Sequence, residues 1–351
     1  MSNLSYAILG TGALGGFYGA RLQRAGLKVH FLLHQDYQHV KHHGLVIESV
    51  DGDFTLPKVH AYCDVHQMPR CDVVAVALKT TQNNSLPEML PALVKDDGVV
   101  LVLQNGLGIE EQVAQIVGPE RVIGGLCFVC SNKIGPGHIR HLDYREIWLA
   151  AYQADSSQTL REGEMRAPTK PPQLATLRMQ QIAEDFAQAG IPTELGEDLL
   201  LARWRKLVWN IPFNGLSVVL NATTQELMAD GYSRSLVEQL MDEVASAAQH
   251  CMRTARQECL ISHGFIQQML DSTVKMKPYY PSMKIDYDQR RPMEVEAIFG
   301  TPLRVAQQAG AQSPQIAMLY QQLKFLDAQN CPGNNPANLM SKTTLKSTPP
   351  Y

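Results

Sequence analysis

A chain of 351 residues with 45% hydrophobic and 19% charged side chains has enough apolar surface to build two packed domains. A formal net charge of -3 and a pI near 6.4 exclude the broad basic face that nucleic acid or an anionic membrane requires. Seven cysteines without paired spacing speak against a disulfide framework. No signal peptide and no apolar run of the roughly 18 residues that span a bilayer is expected, so a reducing, cytoplasmic setting is the simplest reading.

Over the first third, short β-rich runs alternate with helical patterns. YAILG (6–10), VHFLL (29–33), CDVVAVAL (71–78), GVVLVLQ (98–104) and RVIGGLCFV (121–129) are near-continuous apolar runs, as parallel strands covered on both faces require. Helices are predicted over 13–26, 82–94 and 108–117. KIGPGHIRHL and REIWLAAY, within 133–152, read as further strands with a Gly-Pro-Gly turn. The polar stretch 153–173 reads as a surface loop, followed by a helix over 174–190 and the short return IPTEL. From 197 to 329 helical patterns dominate without strand alternation. The expected fold is α/β: an N-terminal doubly wound domain (1–196), an all-helical C-terminal domain (197–330) and a mobile tail (331–351).

GTGALG (10–15) directly follows a predicted strand and opens a predicted helix, the context in which G-x-G-x-x-G marks a dinucleotide site. Gly10 permits the tight turn, Gly12 lets backbone approach a pyrophosphate and Gly15 allows close helix–strand packing. With Thr11, Ala13 and Leu14 they form the candidate phosphate cradle on a helix N-terminus. The second strand ends FLLHQDY, with His34 at its exit and Asp36 two residues on. An NAD binder places an acid at the strand end, so its absence favours NADP. No arginine stands there either. His34 with Lys41, His42 and His43 forms a mildly basic group, or His34 is a solvated loop residue.

Lys79, in LKTTQ, and Asn105, in LQNGLG, stand just past the third and fourth strands, at the carboxyl edge where doubly wound sheets bind ligands. The segment RWRKLVWNIPFNGLS (203–217) sets Lys206, Asn210 and Asn214 at intervals of four, one face of a helix in apolar surroundings. A desolvated ammonium needs a carboxylate, an anionic ligand or a lowered pKa. The alternative is structural: a lysine reaching to water and asparagines repairing a kink at Pro212.

LGTGALGGFYGARL, ALKTTQ, LQNGLG, RWRKLVWNIPFNGLSVVLNAT and PSMKIDYDQRRPMEVEAIFG, together and in this order, resemble the ketopantoate reductase family over residues 6 to 328. The resemblance implies a Rossmann domain followed by a helical domain, and NADPH-dependent reduction of a 2-oxo acid, ketopantoate to pantoate, in pantothenate synthesis. It implies Lys206 as catalytic general acid, with Glu294 pairing with and orienting the site. Asn210, Asn214 and Ser282 are matched to substrate binding, and Lys79 and Asn105 to contacts with cofactor and substrate. Glu294 is also placed beside the cofactor. The chain departs from the family pattern at His34, where arginine is common, and at Gly215, where Pro or Ala is usual. A different branched 2-oxo acid substrate and a catalytically silent dinucleotide sensor are the alternatives. The second domain's helices allow a homodimer. No metal is expected: of the pairs four apart, His30/His34 and His39/His43, the first spans a strand and its exit rather than one helix face, and the C-x-x-C of Cys127 and Cys130 lies inside an apolar run, as packed thiols would.

Overall fold

A computed structural model of the chain describes residues 3–154, 172–252 and 260–330. The expected loop at 153–173 and the tail at 331–351 lie almost wholly outside these residues. The chain divides into two compact units, the boundary falling between Arg203 and Trp204.

In the first unit the apolar runs form one sheet of ten strands. They are β1 (Ser5–Leu9), β2 (Lys28–Leu32), β3 (Leu45–Ser49), β4 (Phe54–Leu56), β5 (His60–Tyr62), β6 (Cys71–Val76), β7 (Val94–Val102), β8 (Val122–Gly135), β9 (His138–Ala151) and β10 (Thr193–Leu195). Strands β5-β2-β1-β6-β7-β8 are neighbours in that order and parallel throughout, the order of a doubly wound dinucleotide-binding sheet. Helices α1 (Ala13–Arg24), α2 (Tyr37–His43), α3 (Leu86–Leu93), α4 (Ile109–Val117) and α5 (Gln173–Gln188) accompany it.

Tyr6 and Ile8 share a core cluster with Phe17 and Tyr18 of α1 and Ile182 and Phe186 of α5. Ala7 and Leu9, which alternate with them, are equally buried, and α3 and α4 pack on β6, β7 and β8. Burial on both faces is why these strands carry no polar alternation.

Two boundaries differ from the expectation. The helix expected at 82–94 opens as a 3-10 turn, Thr80–Ser85, and α3 starts at Leu86, with Pro87 in a first turn that needs no N–H from it. The run 121–129 and the start of 133–152 are one long strand, β8, which pairs antiparallel with β9 across a turn at Pro136 and Gly137, where Gly137 takes φ 61.

Among its described residues the second unit contains helices and their connections and no strand. It contains most of α6 (Leu199–Val219), then α7 (Thr224–Ala229), α8 (Gly231–Cys251), α9 (His263–Lys275) and α10 (Ser282–Asp288). A π-helical turn (Glu296–Gly300), α11 (Thr301–Gln308) and α12 (Pro314–Asn330) follow. Thr223 and Glu226 form a capping box on α7, and Asp230 caps α8 through the Ser233 N–H. α6 runs on through Pro212. Gly215 has a packing reason: a Cβ there would lie 2.6 Å from Leu319 Cδ2 and 3.1 Å from Phe299.

Candidate active site

The β1–α1 turn holds the glycines of GTGALG in three different situations. Gly10 has φ +94, and a Cβ on it would sit 2.7 Å from the Leu78 nitrogen. Gly15 lies so close to the Gly10 carbonyl that a Cβ would come within 2.2 Å of its oxygen. Gly12, the N-cap of α1, has nothing within 4 Å of the place a Cβ would take, and no acid stands in the first turn. Two glycines are thus demanded by packing, and the third leaves bare backbone at a helix N-terminus, which fits a pyrophosphate. Thr11 donates to the Leu32 carbonyl at 2.9 Å, tying the turn to the end of β2; Ala13 and Leu14 begin α1.

His34 is exposed just beyond β2. Asp36 is buried and bonded inward, accepting from the Gly137 N–H at 3.0 Å and from Lys133 Nζ at 2.7 Å. Burial alone would raise its pKa, but these donors outweigh it and hold the carboxyl below its ordinary value. Asp36 therefore pins the β8–β9 turn. In α2 the Nδ1 atoms of His42 and His43 bond the carbonyls of Gln38 and His39. Among the described residues, no group of three or more His, Cys, Asp or Glu side chains is arranged to hold a metal ion. Cys127 and Cys130 are buried thiols, and burial pushes Cys130 up to about 12.

Lys79 and Asn105 both stand half-buried past their strands. Between them lies a network that the sequence did not announce. Gln104 donates from Nε2 to the Leu78 carbonyl and to Asn83 Oδ1, each at 2.7 Å, and Arg203 donates to the Gln104 carbonyl at 2.7 Å. Arg203 also forks onto Glu110 Oε1, and both partners of this ion pair are buried. An arginine and a glutamate 93 residues apart give no local periodicity, so only the fold could couple them.

In the second unit Asn210 and Asn214 are buried and Lys206 is half-buried on α6. Asn214 donates to the Asn210 carbonyl at 3.0 Å and accepts from the Met283 N–H at 3.3 Å. This fixes the start of α10, where Ser282 is the first residue. Glu294 is buried just before the π-helical turn; its neighbour Met293 donates its N–H to Asp327 of α12 at 2.9 Å. Trp209 packs on Phe213, with ring centroids 4.9 Å apart, and donates to Thr273.

A nucleotide-type parallel sheet opened by a glycine turn, followed by a helical unit that carries an ammonium and two amides, defines an oxidoreductase of the two-domain dehydrogenase class. The chain belongs to the ketopantoate reductase PanE/ApbA family: the family's N-terminal model matches residues 6–154, and the model of its C-terminal part matches residues 198–327. It is 60% identical over 333 residues to the 2-dehydropantoate 2-reductase of Nostoc sp., covering 95% of this chain and 98% of the relative. The crystal structure of 2-dehydropantoate 2-reductase from Geobacter metallireducens superposes with a TM-score of 0.82 at 40% identity, covering 92% of this chain and 99% of that one. That of the Methylococcus capsulatus 2-dehydropantoate 2-reductase gives 0.76 at 27%, covering 93% and 98%. Among the described residues no helix is long and apolar enough to cross a membrane.

Proposed function

We propose that this chain reduces 2-dehydropantoate to pantoate with NADPH, as a cytoplasmic enzyme of pantothenate synthesis. The observation that carries the reading is the 60% identity to a 2-dehydropantoate 2-reductase along 95% of the chain. Residues 1–196 serve the dinucleotide and 197–330 the substrate. The turn Gly10–Gly15 holds the pyrophosphate against the N-terminus of α1, with Gly12 as the open backbone. His34 faces the adenosine ribose, where the inward-bonded Asp36 leaves no acid to repel a 2′-phosphate. Lys79 and Asn105 contact the cofactor from the strand ends, and Asn105 also touches substrate.

A bound nicotinamide supplies the hydride. Negative charge then grows on the ketone oxygen, and Lys206 Nζ stabilises it and delivers the proton. Glu294 pairs with and orients that ammonium. Asn210 and Asn214 hold the hydroxyl and keto ends of the substrate, and Ser282 binds its carboxylate. Asn214 retains one amide proton and one lone pair for this after its bonds to Asn210 and Met283. Fixing the carbonyl carbon in line is worth several kcal/mol of barrier.

The test is oxidation of NADPH and of NADH by the purified protein with ketopantoate and a panel of 2-oxo acids. Turnover with ketopantoate and a preference for NADPH is the expected result. Faster reduction of another branched 2-oxo acid would move the substrate, and no turnover with any would overturn the enzymatic reading.

A further inference from the structure

We infer that Arg203, with Glu110 and Gln104, forms a clamp that positions the two strand-end residues of the first unit, Lys79 and Asn105. The inference rests on the cofactor and substrate roles proposed above for those two residues. Arg203 Nη1 holds the Gln104 carbonyl, the peptide oxygen directly before Asn105, at 2.7 Å. The Gln104 side chain in turn holds the Leu78 carbonyl, directly before Lys79, at 2.7 Å. Its second acceptor, Asn83, donates onward to Gln112 of α4 at 3.1 Å. One guanidinium thus sets the exits of β6 and β7 together. The orientation of the Gln104 amide follows from its two carbonyl-type acceptors, which only its nitrogen can serve.

The cost of this arrangement indicates a purpose beyond packing. Arg203 is 2% exposed and Glu110 4%, and a buried ion pair is commonly no better for stability than two apolar side chains. Gly124 keeps room for it: a Cβ there would lie 2.9 Å from Glu110 Oε1 and 2.4 Å from Leu199 Cδ1. The loop being held needs holding, since Gly106 and Gly108, at φ 109 and 80, give the LQNGLG turn little stiffness of its own. The guanidinium's planar fork bonds the carboxylate and a peptide oxygen at once; a lysine's single ammonium cannot reproduce that geometry.

The experiment separates position from stability by removing both charges. Arg203→Met with Glu110→Leu is expected to unfold within a few degrees of the wild type, yet to lose at least about tenfold in kcat/KM, with faster amide exchange at residues 78–83 and 103–108. Arg203→Lys alone should recover part of the loss. Should the double variant not fold, Gln104→Leu carries the same test. Asp72→Asn, at the amino end of β6, is the stability control and should keep kcat/KM within about twofold. Unchanged kcat/KM and unchanged exchange in the double variant would overturn the clamp. If the wild type reduces no 2-oxo acid, the functional reading fails by itself, and loop exchange together with NADPH affinity still decides the clamp.

Discussion

Asn214 joins two helices by accepting the Met283 N–H at 3.3 Å while its own amide bonds the Asn210 carbonyl at 3.0 Å. The side chain is 3% exposed, so both bonds are made away from water. It therefore fixes where Ser282 begins α10 relative to the stripe on α6. Asn214→Leu should lose about 1–3 kcal/mol of stability through the unpaired Met283 N–H, and should raise KM for ketopantoate more than KM for NADPH. Urea unfolding and steady-state kinetics on the same preparation check both effects. Equal changes in the two KM values would dissociate Asn214 from the substrate side.

Lys206→Ala should lower kcat by roughly 100-fold or more and leave NADPH affinity within a fewfold, as expected for loss of a proton donor that does not hold the cofactor. Nucleotide titration beside turnover measures both. Retained turnover would remove Lys206 from the proton-donor role without touching the fold.

Gly12 and Gly15 should respond in opposite ways to a side chain. With nothing within 4 Å of a Cβ on Gly12, Gly12→Val should leave Tm nearly unchanged and weaken NADPH binding by about a hundredfold or more. On Gly15 a Cβ would lie 2.2 Å from backbone oxygen, so Gly15→Ala should cost about 1–3 kcal/mol in the unliganded protein. Thermal melts with and without NADPH distinguish the two. Normal NADPH binding by the Gly12 variant would place the pyrophosphate elsewhere.

Asp72 is held by the Ser5 N–H at 2.9 Å, the Ser5 hydroxyl at 2.6 Å and Lys95 at 2.9 Å. Burial would raise its pKa, but these partners bring it down to about 2 from an ordinary 3.8. Ionised Asp72 therefore stabilises the fold fully above the ordinary carboxylate range, and the contribution disappears as pH falls through the folded pKa, a difference of about 2 kcal/mol. The stability gap between wild type and Asp72→Asn, followed by urea unfolding, should be constant near neutrality and narrow below about pH 4. A gap independent of pH down to the folded pKa would mean that the carboxylate's charge is not what holds β1 to β6.

What the chain declared in advance were its local regularities. Near-continuous apolar runs announced strands buried on both faces, GTGALG announced a strand–turn–helix cradle, and spacing by four put Lys206, Asn210 and Asn214 on one side of α6. Those signals survive because period and turn chemistry act over a few residues. The short segments β3, β4, β5 and α2 escaped notice because three to seven residues carry too little periodicity to exceed their neighbours.

Tertiary structure alone decided the long-range partners. Asp36, two residues past His34 at the exit of β2, is bonded to Lys133 and the Gly137 N–H, partners about a hundred residues away that no local pattern names. A Cβ on Gly215 would press against Leu319 and Phe299, which lie far from it in the chain. Arg203 reaches Glu110 across 93 residues of chain. Such pairings rest on shape, desolvation and hydrogen-bond satisfaction in three dimensions, which no spacing along the chain encodes.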